Sequence, residues 1–352
     1  MQLGIIEGFY GEEWGWAERT SILPFMVRNN MSFFMYAPKG DAHLRSQWHT
    51  EHPESQTRAF KLFGEQCRTH GIKLGLGLTP YALHNNWAQD GRRTLEKRLK
   101  SLAHLKLDAL AILFDDMPGD LPNLARIQGD MLKLVADSGV AEHILMCPTY
   151  YSDAPILDRL FGQRPKDYLP TLGQALDPAI DVFWTGPNVL SSEYTPTHLR
   201  QVADRLGRKP FIWDNYPVND GPRMSRFLHL RAPKRPSEIV EDVSGLAINP
   251  MNQPNLSRIP LHAMAQSLNG RNKGNIEMQT FAALKSELPP DLAHALCEDF
   301  DAFQTKGLDG LGAATKKALI LKYGAWNHPA ALELCRWLQG DYVVSADILT
   351  DT

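Results

Sequence analysis

Two adjacent carboxylates, Asp115 and Asp116, are the first candidates for chemistry in this sequence. They follow residues 110–114 (LAILF), an apolar run with the length and composition of a strand that is buried on both faces. An acid at the end of such a strand is costly unless it is solvated, paired with another charge or used in a reaction. Because Asp is also common in turns and at helix N-caps, the pair alone fits a structural role as well as a catalytic one.

Similar polar and aromatic residues follow the other apolar runs of the chain. They are Gly8, Tyr10, Lys39, Asp41, Tyr151, Trp184, Trp213, Asp214, Asn215, Asp220 and Asn249. Aromatic rings stack on the C–H faces of sugars, while Asp and Asn side chains hydrogen-bond the hydroxyl groups. If the ends of these runs meet, this set of acids, amides, aromatic walls and one lysine predicts a carbohydrate-binding pocket.

Helical segments alternate with the apolar runs, which indicates how the runs meet. Strands are predicted at residues 3–7, 32–37, 73–78, 110–114, 144–148, 181–184, 210–213 and 246–248, with helices between them at residues 14–29, 56–70, 91–105, 124–137 and 196–206. This alternation indicates parallel βαβ units, and eight strands close a (β/α)8 TIM barrel. The first turn, Gly8-Phe9-Tyr10-Gly11, lacks the G-x-G-x-x-G spacing of an open dinucleotide-binding sheet. In a barrel, the C-terminal strand ends surround a single active site.

The predicted fold class is therefore α/β, a TIM barrel followed by a small α-helical domain. We place the catalytic barrel at residues 1–262 and the C-terminal helical domain at residues 263–352. The second part contains predicted helices at residues 281–288, 291–303, 313–323 and 330–338, separated by Pro-Pro, Gly and Asn-His-Pro breaks. No motif in it points to chemistry.

Composition narrows the classes of partner and compartment. The chain has 352 residues and a formal net charge of −3 without any block of like charges, which favours neither nucleic acid nor an anionic membrane as a partner. Its four widely spaced cysteines predict free thiols in a reducing compartment. No apolar stretch approaches the roughly 18 residues of a membrane span, and no basic segment precedes the first strand. We therefore expect a cytoplasmic protein.

Six short motifs carry a resemblance to a known family. They are residues 7–11 (EGFYG) with Trp14, 36–39 (YAPK), 114–116 (FDD), 184–187 (WTGP), 212–215 (IWDN) with Asn219-Asp220, and Asn249-Pro250. In this order they resemble the catalytic domain of glycoside hydrolase family 84, the O-GlcNAcase and bacterial β-N-acetylglucosaminidase family. The similarity covers residues 3 to 268, and the helical tail matches only loosely.

The resemblance implies a retaining β-N-acetylglucosaminidase that removes terminal β-linked GlcNAc through an oxazoline intermediate, without a metal or other cofactor. By resemblance, Asp115 orients the acetamido N–H of the substrate and Asp116 is the general acid/base. Tyr151 and Trp213 resemble the residues beside the acetamido group. The residues that resemble the family's hydroxyl-binding set are Gly8, Lys39, Asn215, Asp220 and Asn249. The expected partner is a β-linked GlcNAc glycoconjugate or an O-GlcNAc-modified protein.

Adjacent acids also favour this chemistry on geometric grounds. An ordinary retaining glycosidase holds its two carboxyl groups about 5 Å apart on opposite sides of the scissile bond. Neighbouring residues of one strand project in different directions and do not easily straddle a sugar in that way. They suit a division of labour in which the 2-acetamido oxygen of the substrate attacks, one Asp stabilises the amide nitrogen and the other protonates the leaving oxygen.

Two other functions fit parts of the sequence. A metal-dependent hydrolase would use Asp115, Asp116, Asp214 and Asp220 as oxygen ligands. The segment His49-Thr50-Glu51-His52 lacks the HExxH spacing of zinc proteases and is expected to lie in a surface loop. A GlcNAc-binding protein with weak or no activity would need the pocket but no proton donor, so Asp116 would be dispensable for its function.

Overall fold

Eight parallel strands close into one barrel in a computed structural model of the protein, which describes residues 1–271 and 274–345. Each strand pairs with its neighbours in chain order, and the eighth closes the barrel by pairing with the first. The strands are β1 (Gln2–Glu7), β2 (Phe33–Tyr36), β3 (Lys73–Leu78), β4 (Leu107–Leu113), β5 (Ala141–Cys147), β6 (Asp181–Trp184), β7 (Phe211–Asp214) and β8 (Gly245–Ile248). The predicted α/β TIM barrel is confirmed.

Helices cover the outside of the barrel between the strands. In the barrel half they are α1 (Trp16–Arg28), α2 (Glu54–Thr69), α3 (Arg92–Leu102), α4 (Leu124–Asp137), α5 (Ile156–Phe161), α6 (Tyr168–Ala175), α7 (Pro196–Leu206) and α8 (Pro254–Leu268). Helix α7 shows how the sequence defines such an element: Thr195 caps its first turn by accepting a hydrogen bond from His198 N, and Gly207 ends it at φ 66°.

The C-terminal helices pack around a second hydrophobic cluster that is separate from the barrel core. They are α9 (Ile276–Glu287), α10 (Pro290–Glu298), α11 (Gly307–Gly310), α12 (Ala313–Tyr323) and α13 (Pro329–Gln339). The helix predicted over residues 291–303 is interrupted after Glu298 by a turn at Asp299, whose side chain accepts hydrogen bonds from Lys322 Nζ and Tyr323 OH, each at 2.9 Å.

The domain boundary at residue 262 lies inside α8, whose residues contribute to both clusters. The division at that residue stays a prediction, and residues 272–273 and 346–352 of the expected helical domain lie outside the described residues. Among the helices that the structure describes, none combines the length and the apolar character that crossing a membrane requires.

Candidate active site

A pocket of about 510 Å³ lies at the C-terminal ends of the strands. All nine site residues predicted from the sequence line it: Gly8, Lys39, Asp115, Asp116, Tyr151, Trp213, Asn215, Asp220 and Asn249. Trp213 lies in β7 and the others follow six different strands, so only closure of the barrel brings them together. The roles of the individual residues remain predictions.

The acid pair stands just beyond the end of β4, in a turn. Asp116 has a left-handed backbone with φ 58°, a region that Asp and Asn enter more readily than other residues with a side chain. The strand alternation that separates neighbouring side chains therefore no longer applies, and both carboxyl groups line the same pocket.

Asp115 is buried and forms an ion pair through Oδ2 with Lys39 Nζ. Its other oxygen, Oδ1, is buried without a hydrogen-bond donor in the part of the chain that the structure describes. A buried carboxylate oxygen without a donor is costly, and a ligand N–H placed beside it would remove that cost. Asp115 is thus prepared to accept a hydrogen bond from a bound molecule.

Asp116 sits among hydroxyl groups. Tyr10 OH donates to its Oδ2 at 2.8 Å, and Tyr151 OH lies 3.4 Å from its Oδ1. Burial raises the pKa of Asp116, and the nearby charge of Asp115 raises it further, against the opposing effects of Lys39, Tyr10 and Arg45. A carboxyl group with a raised pKa keeps its proton towards neutral pH and is suited to donate it as a general acid.

An amide network holds the indole of Trp213 at the pocket wall. Trp213 Nε1 donates to Asn215 Oδ1 at 2.9 Å, and Asn249 Nδ2 donates to the same oxygen at 3.0 Å. Asn249 Oδ1 in turn accepts a hydrogen bond from Gly8 N at 3.2 Å. The segments after β1, β7 and β8 are thereby fixed against one another.

Gly8 is where the main chain approaches that indole most closely. A Cβ atom at this position would lie 2.4 Å from Trp213 Cζ2, far inside van der Waals contact. We therefore expect Gly8→Ala to displace the ring and to raise KM by about 10-fold or more, since mispositioned substrate contacts carry penalties of this size. Steady-state kinetics on an aryl β-GlcNAc substrate measure KM, and tryptophan fluorescence reports a change in the environment of the Trp213 indole. An unchanged KM would show that the indole is not a substrate contact.

Asp220 is a further acid in the lining of the pocket. Its Oδ2 accepts a hydrogen bond from Tyr10 N at 2.9 Å, so it also fixes the loop that carries Tyr10. Burial raises the pKa of Asp220 to about 6, and the hydrogen bonds that it accepts only partly oppose this shift. A third carboxyl group is thus available to a bound sugar in the same pocket.

A family model for beta-N-acetylglucosaminidase matches residues 3–300 of the chain. The chain belongs to this family. It is accordingly a member of a glycoside hydrolase family, and the resemblance carried by the six motifs is confirmed.

Named relatives of this β-N-acetylglucosaminidase family member are similar over most of the chain. Protein O-GlcNAcase of Mus musculus is 26% identical over 284 residues, which cover 77% of this chain and 30% of that protein. The same figures apply to protein O-GlcNAcase of Rattus norvegicus. The chain therefore spans less than a third of the length of these mammalian relatives.

A solved structure of an O-GlcNAc hydrolase mutant from Thermobaculum terrenum is similar in fold as well. Its TM-score is 0.79 at 30% sequence identity, and the match covers 96% of this chain and 80% of that one. The likeness thus extends beyond the barrel into the C-terminal helices.

Three strand-end residues expected near the pocket of this family member do not line it. Asp41 accepts hydrogen bonds through Oδ2 from Tyr36 OH and Gln56 Nε2, and His52 Nε2 lies 2.9 Å from the same oxygen. Asp214 forms a buried bidentate ion pair with Arg235. Trp184 is fully buried. Proximity in sequence to a strand end is not sufficient, because the side chain of the last strand residue can point away from the mouth.

The same contacts bear on metal binding in this family member. Asp214 is occupied by Arg235 and Asp115 by Lys39, so two of the four acids of the metal-hydrolase alternative already have cationic partners. Within residues 1–271 and 274–345, no group of three or more His, Cys, Asp or Glu residues is arranged to hold a metal ion. His49 is exposed, and His52 pairs with Asp41.

Sequence reasoning missed several residues of the pocket. Arg45 lies behind the lining and contacts the pocket residue Tyr10, and the sequence does not point to it because it stands alone in a loop with no motif or periodicity. The apolar part of the lining was also missed, and it includes Pro118, Leu160, Phe161, Val189, Leu190, Val218 and Met224. Leu160 and Leu190 are exposed leucines, and only the fold shows that they border a pocket.

Proposed function

We propose that this protein is a retaining β-N-acetylglucosaminidase that hydrolyses terminal β-linked GlcNAc by substrate-assisted catalysis. The observation that carries the proposal is the division of roles within the acid pair. Asp115 has one oxygen paired with Lys39 and one without a donor, while Asp116 has a raised pKa and hydroxyl partners. Two adjacent carboxyl groups in such different surroundings suit two different steps.

In the first step, the acetamido oxygen of the substrate attacks the anomeric carbon. Asp115 Oδ1 accepts the acetamido N–H, which orients the group and stabilises the positive charge that grows on the amide. Asp116 gives its proton to the glycosidic oxygen as that bond breaks, which yields the free aglycone and an oxazoline that is still protonated on its nitrogen and hydrogen-bonded to Asp115.

In the second step, water opens the oxazoline. The Asp116 carboxylate takes a proton from the water as it attacks the anomeric carbon, and the acetamido group is restored. Two displacements at one carbon give net retention of configuration. No enzyme carboxylate bonds to the sugar, in contrast to the two-carboxylate retaining scheme.

The remaining pocket residues fit a GlcNAc ring. Trp213 offers an aromatic face, and Asn215, Asn249, Asp220 and Lys39 offer hydrogen-bonding groups for hydroxyls. Tyr151 lies beside the acid pair, where the acetamido group would bind.

The relatives support the choice of substrate. Two of them are named protein O-GlcNAcase and a third is an O-GlcNAc hydrolase. We propose β-linked GlcNAc on glycoconjugates, including O-GlcNAc on proteins, as the substrate class of this chain.

Hydrolysis of paired aryl glycosides tests the proposal. We expect release of the aryl group from the β-GlcNAc glycoside, with retention by NMR, and activity that chelators do not change. The matched aryl β-glucoside differs only in lacking the acetamido group. It is expected to react at least about 10³-fold more slowly, because the acetamido oxygen that acts as the nucleophile is missing. Comparable turnover of the two glycosides would refute substrate assistance, and loss of activity on chelation would favour the metal hydrolase. A GlcNAc-modified peptide then tests the protein substrate.

A further inference from the structure

Arg45 is linked to the acid pair by hydrogen bonds through one tyrosine hydroxyl group, that of Tyr10. Arg45 Nη1 donates a hydrogen bond to Tyr10 OH at 2.5 Å, and Tyr10 OH donates to Asp116 Oδ2 at 2.8 Å. The guanidinium also stacks near the rings of Tyr10 and Tyr81, with centroid distances of 5.4 and 5.9 Å. Because the guanidinium can only donate, the tyrosine hydroxyl must use its own hydrogen on Asp116.

No carboxylate in the described ranges forms a direct ion pair with Arg45 within 4.0 Å. Its Nη2 is buried and has no hydrogen-bond partner among those residues. A partly buried cation without a directly paired carboxylate is unfavourable. A negative charge that forms nearby during the reaction would stabilise the guanidinium of Arg45. The carboxyl groups that it reaches through Tyr10 are those of the pair.

A count of charges shows when that negative charge arises. In the resting site, Lys39 is paired with Asp115, and in the proposed mechanism Asp116 begins the cycle with its proton. When Asp116 gives that proton to the leaving oxygen, a second carboxylate appears, and Lys39 is already engaged. Arg45 is the second cation on this side of the pocket.

We propose that Arg45 is a positioning residue that acts through Tyr10 to stabilise the Asp116 carboxylate between the two proton transfers. The inference rests on the proposed function, in which Asp116 is the general acid/base. In glycoside cleavage the proton goes from Asp116 to the aglycone oxygen, and in oxazoline opening Asp116 regains a proton from water. Arg45 and Tyr10 keep their own protons throughout.

Several charged or titratable groups face Asp116, and their effects have different signs. They are Asp115 from the turn after β4, Lys39 and Arg45 from the segment after β2, and Tyr10, Cys147, Tyr151 and Asp220. Burial and Asp115 raise the pKa of Asp116, whereas Lys39, Tyr10 and Arg45 lower it. Burial and the Asp116 charge also raise the pKa of Tyr10, so its hydroxyl stays a donor across the working range.

The pH dependence of kcat/KM tests the role of Arg45. The alkaline limb reports loss of the Asp116 proton, and removing a cation that favours the carboxylate moves that loss to higher pH. We expect Arg45→Met to shift the limb upward by about 1 pH unit. It also weakens the acid, so kcat/KM falls by about 10-fold on a glycopeptide and much less on an activated aryl glycoside. Arg45→Lys, which keeps the charge, is expected to leave the alkaline limb close to its wild-type pH.

Arg98→Met is the matched control. Arg98 is a buried arginine that holds the same loop, through Nη2 to His43 O at 3.1 Å, and it makes no contact with Tyr10. This variant is expected to lower thermal stability without moving the limb. In a Tyr10→Phe background the bridge is gone, so Arg45→Met should shift the limb by clearly less than in the wild type.

The proposal fails if Arg45→Met shifts the limb no more than Arg98→Met, or if the shift is the same in the Tyr10→Phe background. Failure of the proposed function looks different: the wild-type alkaline limb would then persist in Asp116→Asn. If Arg45→Met does not fold, Arg45→Gln replaces it in both backgrounds and the same two comparisons apply.

Discussion

Asp115→Asn is expected to lower kcat/KM by about 10²–10³-fold on activated aryl and on alkyl β-GlcNAc substrates alike. In the proposed mechanism, Asp115 assists the attack of the acetamido group, which is needed whatever the leaving group is. An amide at this position lacks the negative charge that stabilises the cationic amide of the transition state. Its loss also leaves the ammonium of Lys39 without its partner. Parallel kinetics on an aryl glycoside and a glycopeptide measure both penalties.

Asp116→Asn is the complementary variant, and its penalty is expected to depend on the leaving group. On a glycopeptide or an alkyl glycoside, kcat/KM should fall by about 10²–10⁴-fold, because the poor leaving group needs a proton donor. On an activated aryl glycoside the cleavage step should be affected much less. A small external nucleophile such as azide, which needs no general base, should accelerate turnover of the oxazoline in this variant. Equal penalties for both variants on both substrates would contradict the division of roles.

The second large effect concerns the nucleophile, which we place on the substrate. Replacing the hydrogens of the N-acetyl methyl group by fluorine withdraws electrons from the acetamido oxygen and weakens its attack. From acetyl to trifluoroacetyl we expect kcat/KM to fall by about 10²-fold or more, which corresponds to about 2.7 kcal/mol of barrier. A series of aryl glycosides with zero to three fluorine atoms gives the slope. A stable thiazoline that mimics the oxazoline should bind much more tightly than GlcNAc.

A covalent glycosyl-enzyme is the competing outcome of that experiment. Asp214 and Asp220 are the nearest further carboxyl groups, but Asp214 is held by Arg235 in a bidentate pair and lies outside the pocket lining. Asp220 lines the pocket and is assigned to a sugar hydroxyl. Trapping a 2-deoxy-2-fluoro sugar on either residue, or turnover that does not respond to fluorination, would overturn the mechanism.

The barrel could be predicted from the sequence because its elements carry local signals. The predicted bounds of β3, β6, α4, α7 and α12 agree with the structure. In contrast, α5 and α6 were not predicted. They are 6 and 8 residues long, neither has a side-chain N-cap, and prolines interrupt the segment, so the periodic pattern is too short to read.

The sequence predicts the pocket only to the extent that the C-terminal strand ends of a TIM barrel meet on one side. Knowing that strand ends meet in a barrel was enough to place Lys39 and Asn249 in one pocket with the acid pair. Side-chain direction was not available from the sequence, so Asp41 and Trp184 were wrongly included among the candidates. Arg45 contacts a residue 35 positions away, and that pairing exists only in three dimensions.

The left-handed backbone of Asp116 also restricts how this enzyme can change during evolution. Apart from glycine, only asparagine and aspartate enter that conformation at little cost, so a longer acid such as glutamate would bring backbone strain with it. Asparagine fits the same backbone and is reached from aspartate by one base change in the codon. The path from a hydrolase to a folded sugar-binding protein is therefore short at this position, while the path to a longer acid carries a cost in backbone strain.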